Sequence, residues 1–323
     1  MNQSDITGTE TRVPKCTVII PSIGKPTLDR AVASALAQVG VEVEVQVVLN
    51  GPRAGDYSNP DPRVRVTRIE EPNANMARQW AVTHSDSPYF ATLDDDDYWL
   101  VDKLQRQIEH VRTLREYDTR MWLAGCGVLE IEGSTVRTAP TNFGGDPSSP
   151  DVYLFRRRTV YADRRQLQSS TLLFPRELVA AVPFDPADTI HTDWGWAIEC
   201  ARRGASIVVV PEYLSFYVRN AASSVSAAGR AQDSYRWAAR HLADSSSRVR
   251  GDFIAMISCG FASRAGDISG YFRTLRLAYT EGAPGIAAFL YSLRSVMRVL
   301  GRGWKRGIDR RSVIRTNARE TSS

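Results

Sequence analysis

The sequence has few of the residues that build disulfide scaffolds and metal cages. Its 323 residues include four cysteines and four histidines, all far apart, with no Cys-x-x-Cys pair. This spacing argues against a disulfide framework or a paired zinc site, and it predicts reduced thiols in the core of a cytoplasmic protein. GxSxG and P-loop motifs are also absent, which argues against two large enzyme classes.

Long hydrophobic runs are missing as well. No window approaches the roughly 18 apolar residues of a membrane span, and residues 1–14 are polar, unlike a secretory signal. We therefore expect a protein that is soluble or peripheral to a membrane. The 43% hydrophobic and 24% charged content predicts a globular chain, either one large α/β domain with an appendage or two ordinary domains.

Positive charge is concentrated at one end of the chain. Nine basic and two acidic residues follow Pro284, a net charge of +7, so the remainder carries −2 of the total +5. Apolar residues of 285–300 form a stripe with Arg294 and Arg298 opposite. This pattern predicts an amphipathic helix that either lies on the anionic inner face of a membrane, over 285–311, or packs on the rest of the protein.

A run of four aspartates, Asp94 to Asp97, is the most informative feature that is present. It follows the apolar segment 89–93 and precedes Tyr98 and Trp99, which indicates a strand end inside a fold. Crowded carboxylates there cost several kcal/mol unless a cation or hydrogen bonds compensate. Mg²⁺ or Mn²⁺ is the simplest compensator and indicates phosphate chemistry. The alternative is a solvated acidic loop, or a helix cap at Asp97.

The first third of the chain predicts a parallel sheet. A buried strand over 16–21, a helix over 28–38 and a strand over 41–49 form a β-α-β unit, which implies a right-handed crossover. Ligands of such sheets bind outside the carboxyl ends of the strands, so Pro21, Asn50 and Asp94 are expected along one edge. Further strands are predicted over 63–67, 89–93, 121–131, 135–137, 170–174 and 207–210, and a mobile loop over 141–151. Further helices are predicted over 75–84, 101–114, 175–182, 193–203, 232–243, 252–264, 268–280 and 285–300.

Six segments in this order carry a resemblance to a known family: 18–21, 28–38, 47–51, 77–79, 93–99 and 192–194. They resemble the family-2 nucleotide-sugar glycosyltransferases. The resemblance implies the GT-A fold, a Rossmann-like and mostly parallel α/β sheet flanked by helices, here with a C-terminal helical extension. We then expect a disordered N-terminus over 1–14, a catalytic domain over 15–225, a helical region over 226–300 and a basic tail over 301–323. The catalytic domain would comprise a nucleotide-sugar half, 15–115, and an acceptor half, 116–225.

The resemblance assigns roles within the aspartate run. Asp94 and Asp96 match the Asp-x-Asp pattern that holds Mn²⁺ or Mg²⁺, with Asp96 the stronger candidate for direct coordination. Asp95 would face the ribose or the sugar. A fixed metal stabilises the charge that grows on the departing diphosphate.

Asp193 is similar to the aspartate of the family's Glu-Asp motif, which holds the general base in inverting members. A carboxylate there takes the proton of the acceptor hydroxyl. Thr192 replaces the usual glutamate, and a helix cap is the alternative role for Asp193.

Nucleotide contacts are expected from the first loop and from two further positions. Asn50 replaces the aspartate common in the family, and it both accepts and donates hydrogen bonds; uridine remains the favoured base. The expected contacts are Pro21, Ser22, Ile23, Gly24, Asn50, Arg78 and Asp95.

The acceptor half offers two weaker signals. Residues 168–171 and 184–185 resemble the family's acceptor-side strand and turn, or form an ordinary strand with polar ends. Arg156, Arg157 and Arg158 either bind an anionic acceptor or the diphosphate, or are solvated.

Together these features predict a metal-dependent inverting glycosyltransferase that moves a hexose from a nucleoside-diphosphate sugar to a hydroxyl. A glycan, a lipid-linked glycan and a small molecule all remain open as acceptors. A sugar nucleotidyltransferase is the first alternative, although the loop after residue 21 lacks the glycine-rich, basic pattern such enzymes carry. A nucleic-acid binder is suggested only by the basic tail, since the body is slightly acidic.

Overall fold

The computed structural model describes residues 13–159, 165–219 and 230–297. Contacts divide the chain into two compact units. The sheet unit comprises Met1–Ala139, Gln166–Thr189 and Glu199–Val218, and the helical unit comprises Pro140–Arg165, Ile190–Ile198 and Arg219–Ser323. Most of the N-terminal segment expected to be disordered, and the whole basic tail over 301–323, lie outside the described residues.

The predicted β-α-β unit is confirmed. Strand β1 and strand β2 pair in parallel from Lys15↔Glu42 to Ser22↔Leu49. Helix α1 buries Leu28 and Val32 in a core cluster that also contains side chains of both strands. The strands of the sheet are β1 Lys15–Ser22, β2 Glu42–Asn50, β3 Val64–Ile69, β4 Tyr89–Thr92, β5 Tyr98–Trp99, β6 Trp122–Glu132, β7 Thr135–Ala139, β8 Leu173–Pro175 and β9 Ser206–Val218.

The strands form one mixed sheet in the order β3-β2-β1-β4-β8-β6-β9-β5, with β7 paired to β6. The block β3-β2-β1-β4 is parallel, whereas β8 runs antiparallel to β4 and β5 antiparallel to β9. Long apolar runs buried on both faces explain the parallel half. Cys16, Val18 and Ile20 of β1 are fully buried.

The helices are α1 Leu28–Leu36, α2 Ala74–Thr83, α3 Lys103–Val111, α4 Pro150–Phe155, α5 Arg176–Ala181, α6 Thr192–Arg202, α7 Arg230–His241, α8 Ser247–Phe253, α9 Cys259–Arg264 and α10 Ile268–Thr280. Residues 286–297 are also helical, and a π-helical turn, Ile254–Ser258, joins α8 to α9. The helical unit has its own core, in which Phe155 makes edge-to-face contacts with Trp237 and Phe253.

Three local predictions differ from the structure. The strand predicted over 170–174 begins as a 3-10 turn, Ser169–Thr171, because its carbonyls and hydroxyls bond to the neighbouring strand end. The loop predicted over 141–151 ends at Pro150, where proline starts α4. The strand predicted over 207–210 extends to Val218 as β9. All four cysteines are free and buried, as predicted.

Candidate functional site

The carboxyl ends of β1, β2 and β4 lie side by side at one edge of the sheet. Since β1 pairs in parallel with both β2 and β4, the first loop, Asn50 and the aspartate run meet there, as predicted. Pro21 is still within β1, opposite Val48. The open edge of a parallel sheet is where ligands of such folds bind.

Two carboxylates of the aspartate run converge on a lysine of the first loop. The ammonium of Lys25 lies 2.8 Å from Oδ1 of Asp95 and 2.9 Å from Oδ2 of Asp96. Burial alone would lower the pKa of Lys25, but the hydrogen bonds and charges of the two aspartates outweigh burial and raise it. Lys25 therefore compensates part of the negative charge of the aspartate run, a role that the sequence did not predict.

Asp95 is also held by the first loop itself. Its side chain is almost fully buried, and its Oδ2 accepts a hydrogen bond of 2.6 Å from the hydroxyl of Ser22. The same hydroxyl accepts the backbone N–H of Gly24 at 2.9 Å. The loop and the aspartate run thus form one hydrogen-bonded structure.

Arg78 lies inside the protein, whereas an arginine on a helix is usually exposed. It is 4% exposed, and its NH2 donates to Oδ1 of Asp94 at 3.4 Å and to the hydroxyl of Ser169 at 3.0 Å. A third bond of 2.8 Å joins NH1 to the side-chain oxygen of Asn75. Arg78 therefore brings a positive charge to the first aspartate of the run.

Asp97 has a structural position. It is fully buried, and its carboxylate accepts the hydroxyl of Ser170 at 2.5 Å and the backbone N–H of Val218 at 3.0 Å. Burial first, and then the charge of Asp94, raise the pKa of Asp97 well above its usual value. The alternative in which Asp97 caps a helix is wrong, because α3 begins only at Lys103.

The 3-10 turn Ser169–Thr171 supports the run from the other side. The hydroxyl of Ser170 accepts the backbone N–H of Asp94 at 3.1 Å, and the indole of Trp99 donates to the Ser170 carbonyl at 2.6 Å. Thr92 donates to the Ser169 carbonyl at 2.6 Å. The turn therefore fixes the backbone on both sides of the aspartates. The serine pair was noticed in the sequence only as part of an acceptor strand.

The first loop is shaped by a close backbone approach. Gly24 has φ +80° and a Cβ there would lie 2.8 Å from the Cα of Gly55, while the N–H of Gly55 donates to the carbonyl of Ile23 at 2.9 Å. The side chain of Ile23 is 56% exposed. Glycine is required at position 24, and the loop leaves the apolar side chain of Ile23 exposed.

Asn50 ends β2 and is 91% buried, being 9% exposed. Among the residues that the structure describes, its side-chain amide makes no hydrogen bond. Its donor and acceptor are thus available to a bound group at the carboxyl edge.

The donor set suits a hard divalent ion. Across the described ranges, no three His, Cys, Asp or Glu side chains converge as a complete metal cage. However, Asp95 and Asp96 already converge on one cationic group, Lys25. Mg²⁺ and Mn²⁺ typically take one or two protein carboxylates and complete their shell with water and substrate phosphates. The residues therefore fit such an ion.

Asp193 belongs to the helical unit, in the first turn of α6. It is half-buried and its Oδ1 accepts its neighbour's N–H, that of Trp194, at 2.9 Å. His191, immediately before the helix, has φ +53° and its ring stacks on Trp194 at 4.7 Å. A negative charge in a first helical turn is favourable, and the carboxylate of Asp193 lies there.

The mixed sheet with the aspartate run at the carboxyl ends of its parallel strands defines an α/β protein, and this edge is where such folds bind their ligands. Residues 17–132 match the family described as Glycosyl transferase family 2. The match spans about a third of the chain, and over this segment it confirms the resemblance found in the sequence.

Two curated relatives support the assignment. The chain is 28% identical over 146 residues to the amylovoran biosynthesis glycosyltransferase AmsB of Erwinia amylovora, covering 45% of this chain and 46% of the relative. It is 36% identical over 132 residues to the succinoglycan biosynthesis protein ExoO of Rhizobium meliloti, covering 39% and 37%. The chain thus matches less than half the length of either relative.

Solved structures show the fold. TarS of S. aureus has a TM-score of 0.50 at 15% identity, covering 87% of this chain and 55% of that one. The TarS fragment 1–349, solved in complex with UDP-GlcNAc, also has a TM-score of 0.50, at 14% identity, covering 83% and 92%. The predicted GT-A fold is thereby confirmed.

Proposed function

We propose that the protein is a metal-dependent, inverting glycosyltransferase that moves a hexose from a nucleoside-diphosphate sugar, with UDP favoured, to a hydroxyl of a saccharide, lipid-linked or small-molecule acceptor. The observation that carries the proposal is the convergence of Ser22, Asp95 and Asp96 at the carboxyl ends of parallel strands β1 and β4. The family-2 match over 17–132 spans all of these residues. That the TarS fragment was solved with UDP-GlcNAc is consistent with a UDP-sugar donor.

Each residue at the carboxyl edge of the sheet has its own role in this proposal. Asn50 and the first loop, with Pro21, Ser22, Ile23 and Gly24, bind the nucleoside, and Asp95 binds the ribose or sugar. Asp94 and Asp96 would hold Mg²⁺ or Mn²⁺; the first contacts Arg78 and the second contacts Lys25. When bound, such an ion supplies positive charge to the departing diphosphate. Arg78 contacts Asp94, and its positive charge offsets the negative charge at the first residue of the aspartate run.

Asp193 is the proposed base. Its carboxylate takes the proton from the acceptor hydroxyl while the oxygen attacks the anomeric carbon opposite the diphosphate, which inverts that centre. Asp193→Asn keeps the size of the side chain and its bond to the Trp194 N–H. We expect donor affinity to persist and transfer to fall by about 100-fold or more; near-normal turnover would place the base elsewhere.

The metal and donor assignment is tested by calorimetry with UDP-sugars, with and without Mn²⁺. We expect Asp96→Ala to abolish Mn²⁺-dependent binding while the circular dichroism spectrum is unchanged. Asp86→Ala is the matched control, because Asp86 is exposed and precedes the same strand at its amino end. Unchanged affinity in Asp96→Ala would remove the metal assignment, and failure of a panel of nucleotide sugars to bind the wild type would remove the transferase assignment.

We further propose that the helix over 286–297 contacts an anionic membrane surface. Its buried face carries Ala288 and Val296. The other face exposes an apolar stripe in which Ile286, Leu290, Leu293 and Met297 are 80%, 41%, 41% and 58% exposed. Eight basic and two acidic residues follow in the sequence. An apolar face beside basic residues is typical of interfacial helices. In the described ranges, every helix is too short or too polar to cross a bilayer.

Vesicle co-sedimentation tests this contact. We expect binding to vesicles that contain phosphatidylglycerol, weaker binding to pure phosphatidylcholine, and loss of binding in Leu290→Ser/Leu293→Ser. Point variants are used because a truncation would remove Val296 from the core. Val136→Ser is the control, since Val136 is 59% exposed on β7 in the sheet unit. Equal partitioning of all variants would contradict the contact.

A further inference from the structure

A fully buried lysine is connected to the turn that supports the aspartate run. Lys103, the first residue of α3, is 0% exposed, and within the described part of the chain no carboxylate pairs with its ammonium group. We propose that Lys103 is a positioning residue for the metal site. It acts through Trp99 and Gln107 on the 3-10 turn Ser169–Thr171, which in turn holds Asp94. This role depends on the proposed function, because Asp94 is proposed there to bind the metal.

A lysine at this position is costly to the fold. An ammonium group taken out of water without an opposite charge loses its hydration, and burial lowers the pKa of Lys103 to about 8. The titratable groups that interact with it are the thiols of Cys126 on β6 and Cys16 on β1, whose effect on this pKa is smaller and opposite. Lys103 is therefore still mainly protonated at neutral pH. Apolar replacements of buried charged groups are often neutral or stabilising, so folding alone does not account for the charge.

The first connection runs through Trp99. The Lys103 ammonium lies 4.0 Å from the centre of the Trp99 ring, and the negative face of an aromatic ring attracts a cation most strongly where both are dehydrated. The indole N–H of Trp99 donates to the carbonyl of Ser170 at 2.6 Å. The lysine therefore holds the ring whose edge binds the middle of the turn.

The second connection runs through Gln107, one helical turn further along α3. The ammonium donates to Oε1 of Gln107 at 2.7 Å. Because an ammonium group has no acceptor, this bond decides which end of the amide faces the lysine. Nε2 is thereby directed away from it, and it donates to the carbonyl of Thr171 at 2.9 Å and to that of Ala124 on β6 at 3.3 Å. Gln107 is fully buried, so bulk water does not replace a lost bond.

One cation thus orients the donors to two neighbouring carbonyls of the turn. The turn reaches the aspartate run through the hydroxyl of Ser170, which accepts the N–H of Asp94 at 3.1 Å and donates to Asp97 at 2.5 Å. Metal affinity is sensitive to groups that orient the ligands from outside the coordination shell. Loss of the charge at position 103 should therefore weaken metal binding while the protein stays folded.

Lys103→Met tests the proposal in the full chain with two measurements. We expect Mn²⁺ affinity, measured from the free Mn²⁺ signal in electron paramagnetic resonance, to fall about tenfold. We also expect faster hydrogen exchange in the segments 92–99 and 168–172. The free energy of unfolding in urea should stay close to that of the wild type, because removal of a buried charge offsets the lost bond to Gln107. A lysine that only fills the core would instead change exchange throughout the sheet unit.

Two further variants sharpen the test. Ile108→Val is the matched control, because Ile108 is also buried on α3 and lies in the core cluster that contains Trp99, but its hydrocarbon side chain offers the turn no hydrogen bond. It should keep the Mn²⁺ affinity and the exchange of both segments. Lys103→Gln carries an N–H donor for Gln107 but no charge for Trp99. It should show the same changes as Lys103→Met to a smaller extent, and it decides the question if the methionine variant does not fold.

Unchanged Mn²⁺ affinity or unchanged exchange of the two segments in the folded Lys103 variants would overturn the proposal. Equal changes in Ile108→Val would also overturn it, since they would reveal a general effect of core packing. If the wild type itself binds no Mn²⁺, the metal assignment of the proposed function falls. The exchange measurement uses no metal, donor or turnover, so it still decides whether Lys103 holds the turn.

Discussion

The ammonium group of Lys25 lies 2.8 Å from Oδ1 of Asp95. The same group lies 2.9 Å from Oδ2 of Asp96, the residue proposed to hold the metal. A cation from the protein therefore lies against Asp96, a proposed metal ligand, and against its neighbour Asp95. We expect Lys25 to compete with a metal ion for the Asp96 carboxylate and to compensate the charge of the run when no ion is bound.

Removal of this lysine should strengthen metal binding. In Lys25→Met the aspartates lose their internal cation, and the partly exposed pairs contribute about 1 kcal/mol or less each, so Mn²⁺ affinity should rise by up to about tenfold. The free Mn²⁺ signal in electron paramagnetic resonance measures this without turnover. Lys15→Met is the control, because Lys15 is similarly exposed and pairs with Glu44 instead. Unchanged or weaker Mn²⁺ binding in Lys25→Met would show that the lysine does not compete.

The two substitutions of Asp97 should differ in stability. Asp97→Ala leaves the N–H of Val218 and the hydroxyl of Ser170 without their acceptor, at a cost of about 1–3 kcal/mol for each buried group. In Asp97→Asn, the amide oxygen accepts the Val218 N–H and the amide nitrogen donates to Ser170. In urea unfolding, the free energy of unfolding of Asp97→Asn should therefore be close to that of the wild type, and that of Asp97→Ala should be well below it. Equal stabilities would show that these bonds do not hold β9.

Local patterns in the sequence predicted the parts of the site that depend on local structure. Alternating and continuous apolar runs located β1, β2 and β4, and the position of Asp94 after β4 followed from them. The contacts of the run did not follow. Ser170 is 76 residues from Asp94, and β5 pairs antiparallel with the distant β9. Such pairings depend on tertiary packing, which periodicity along a single chain does not encode. Lys25 was equally hidden, since a lysine in a polar loop is ordinarily solvated.

Alanine at Gly24 should disturb the first loop. Both Gly24 and Gly133 have positive φ, but a Cβ meets Gly55 only at Gly24, whereas nothing lies within 4 Å at Gly133. Both variants pay about 1–2 kcal/mol of backbone strain, and overlap at Gly24 adds about 1–3 kcal/mol. We expect Gly24→Ala to be the less stable of the two in urea and to lose UDP affinity, while Gly133→Ala keeps it. Equal UDP affinities in Gly24→Ala and Gly133→Ala would show that the first loop does not contribute to nucleotide binding.

Stability of the helical unit should depend on pH through His191. Burial first, and then the charges of Arg230, Arg264 and His241, lower the pKa of His191 to about 3, while its Nε2 lies 3.1 Å from the hydroxyl of Ser234. An unfolded histidine titrates near pH 6.5. Between these values the unfolded chain binds a proton that the folded chain does not, so the free energy of unfolding falls as pH decreases from about 6.5 towards 3, by up to about 1.4 kcal/mol per pH unit.

His191→Asn isolates this contribution, because asparagine tolerates the positive φ of position 191 and does not titrate. Urea unfolding at about pH 7.5 and about pH 5 should show that the wild type loses about 1–2 kcal/mol more than this variant between the two conditions. His84→Asn, at the exposed end of α2, should keep the wild-type slope. The same slope in wild type and His191→Asn would mean that His191 is protonated in the folded state, and the neutral, stacked imidazole beside Trp194 would have to be abandoned.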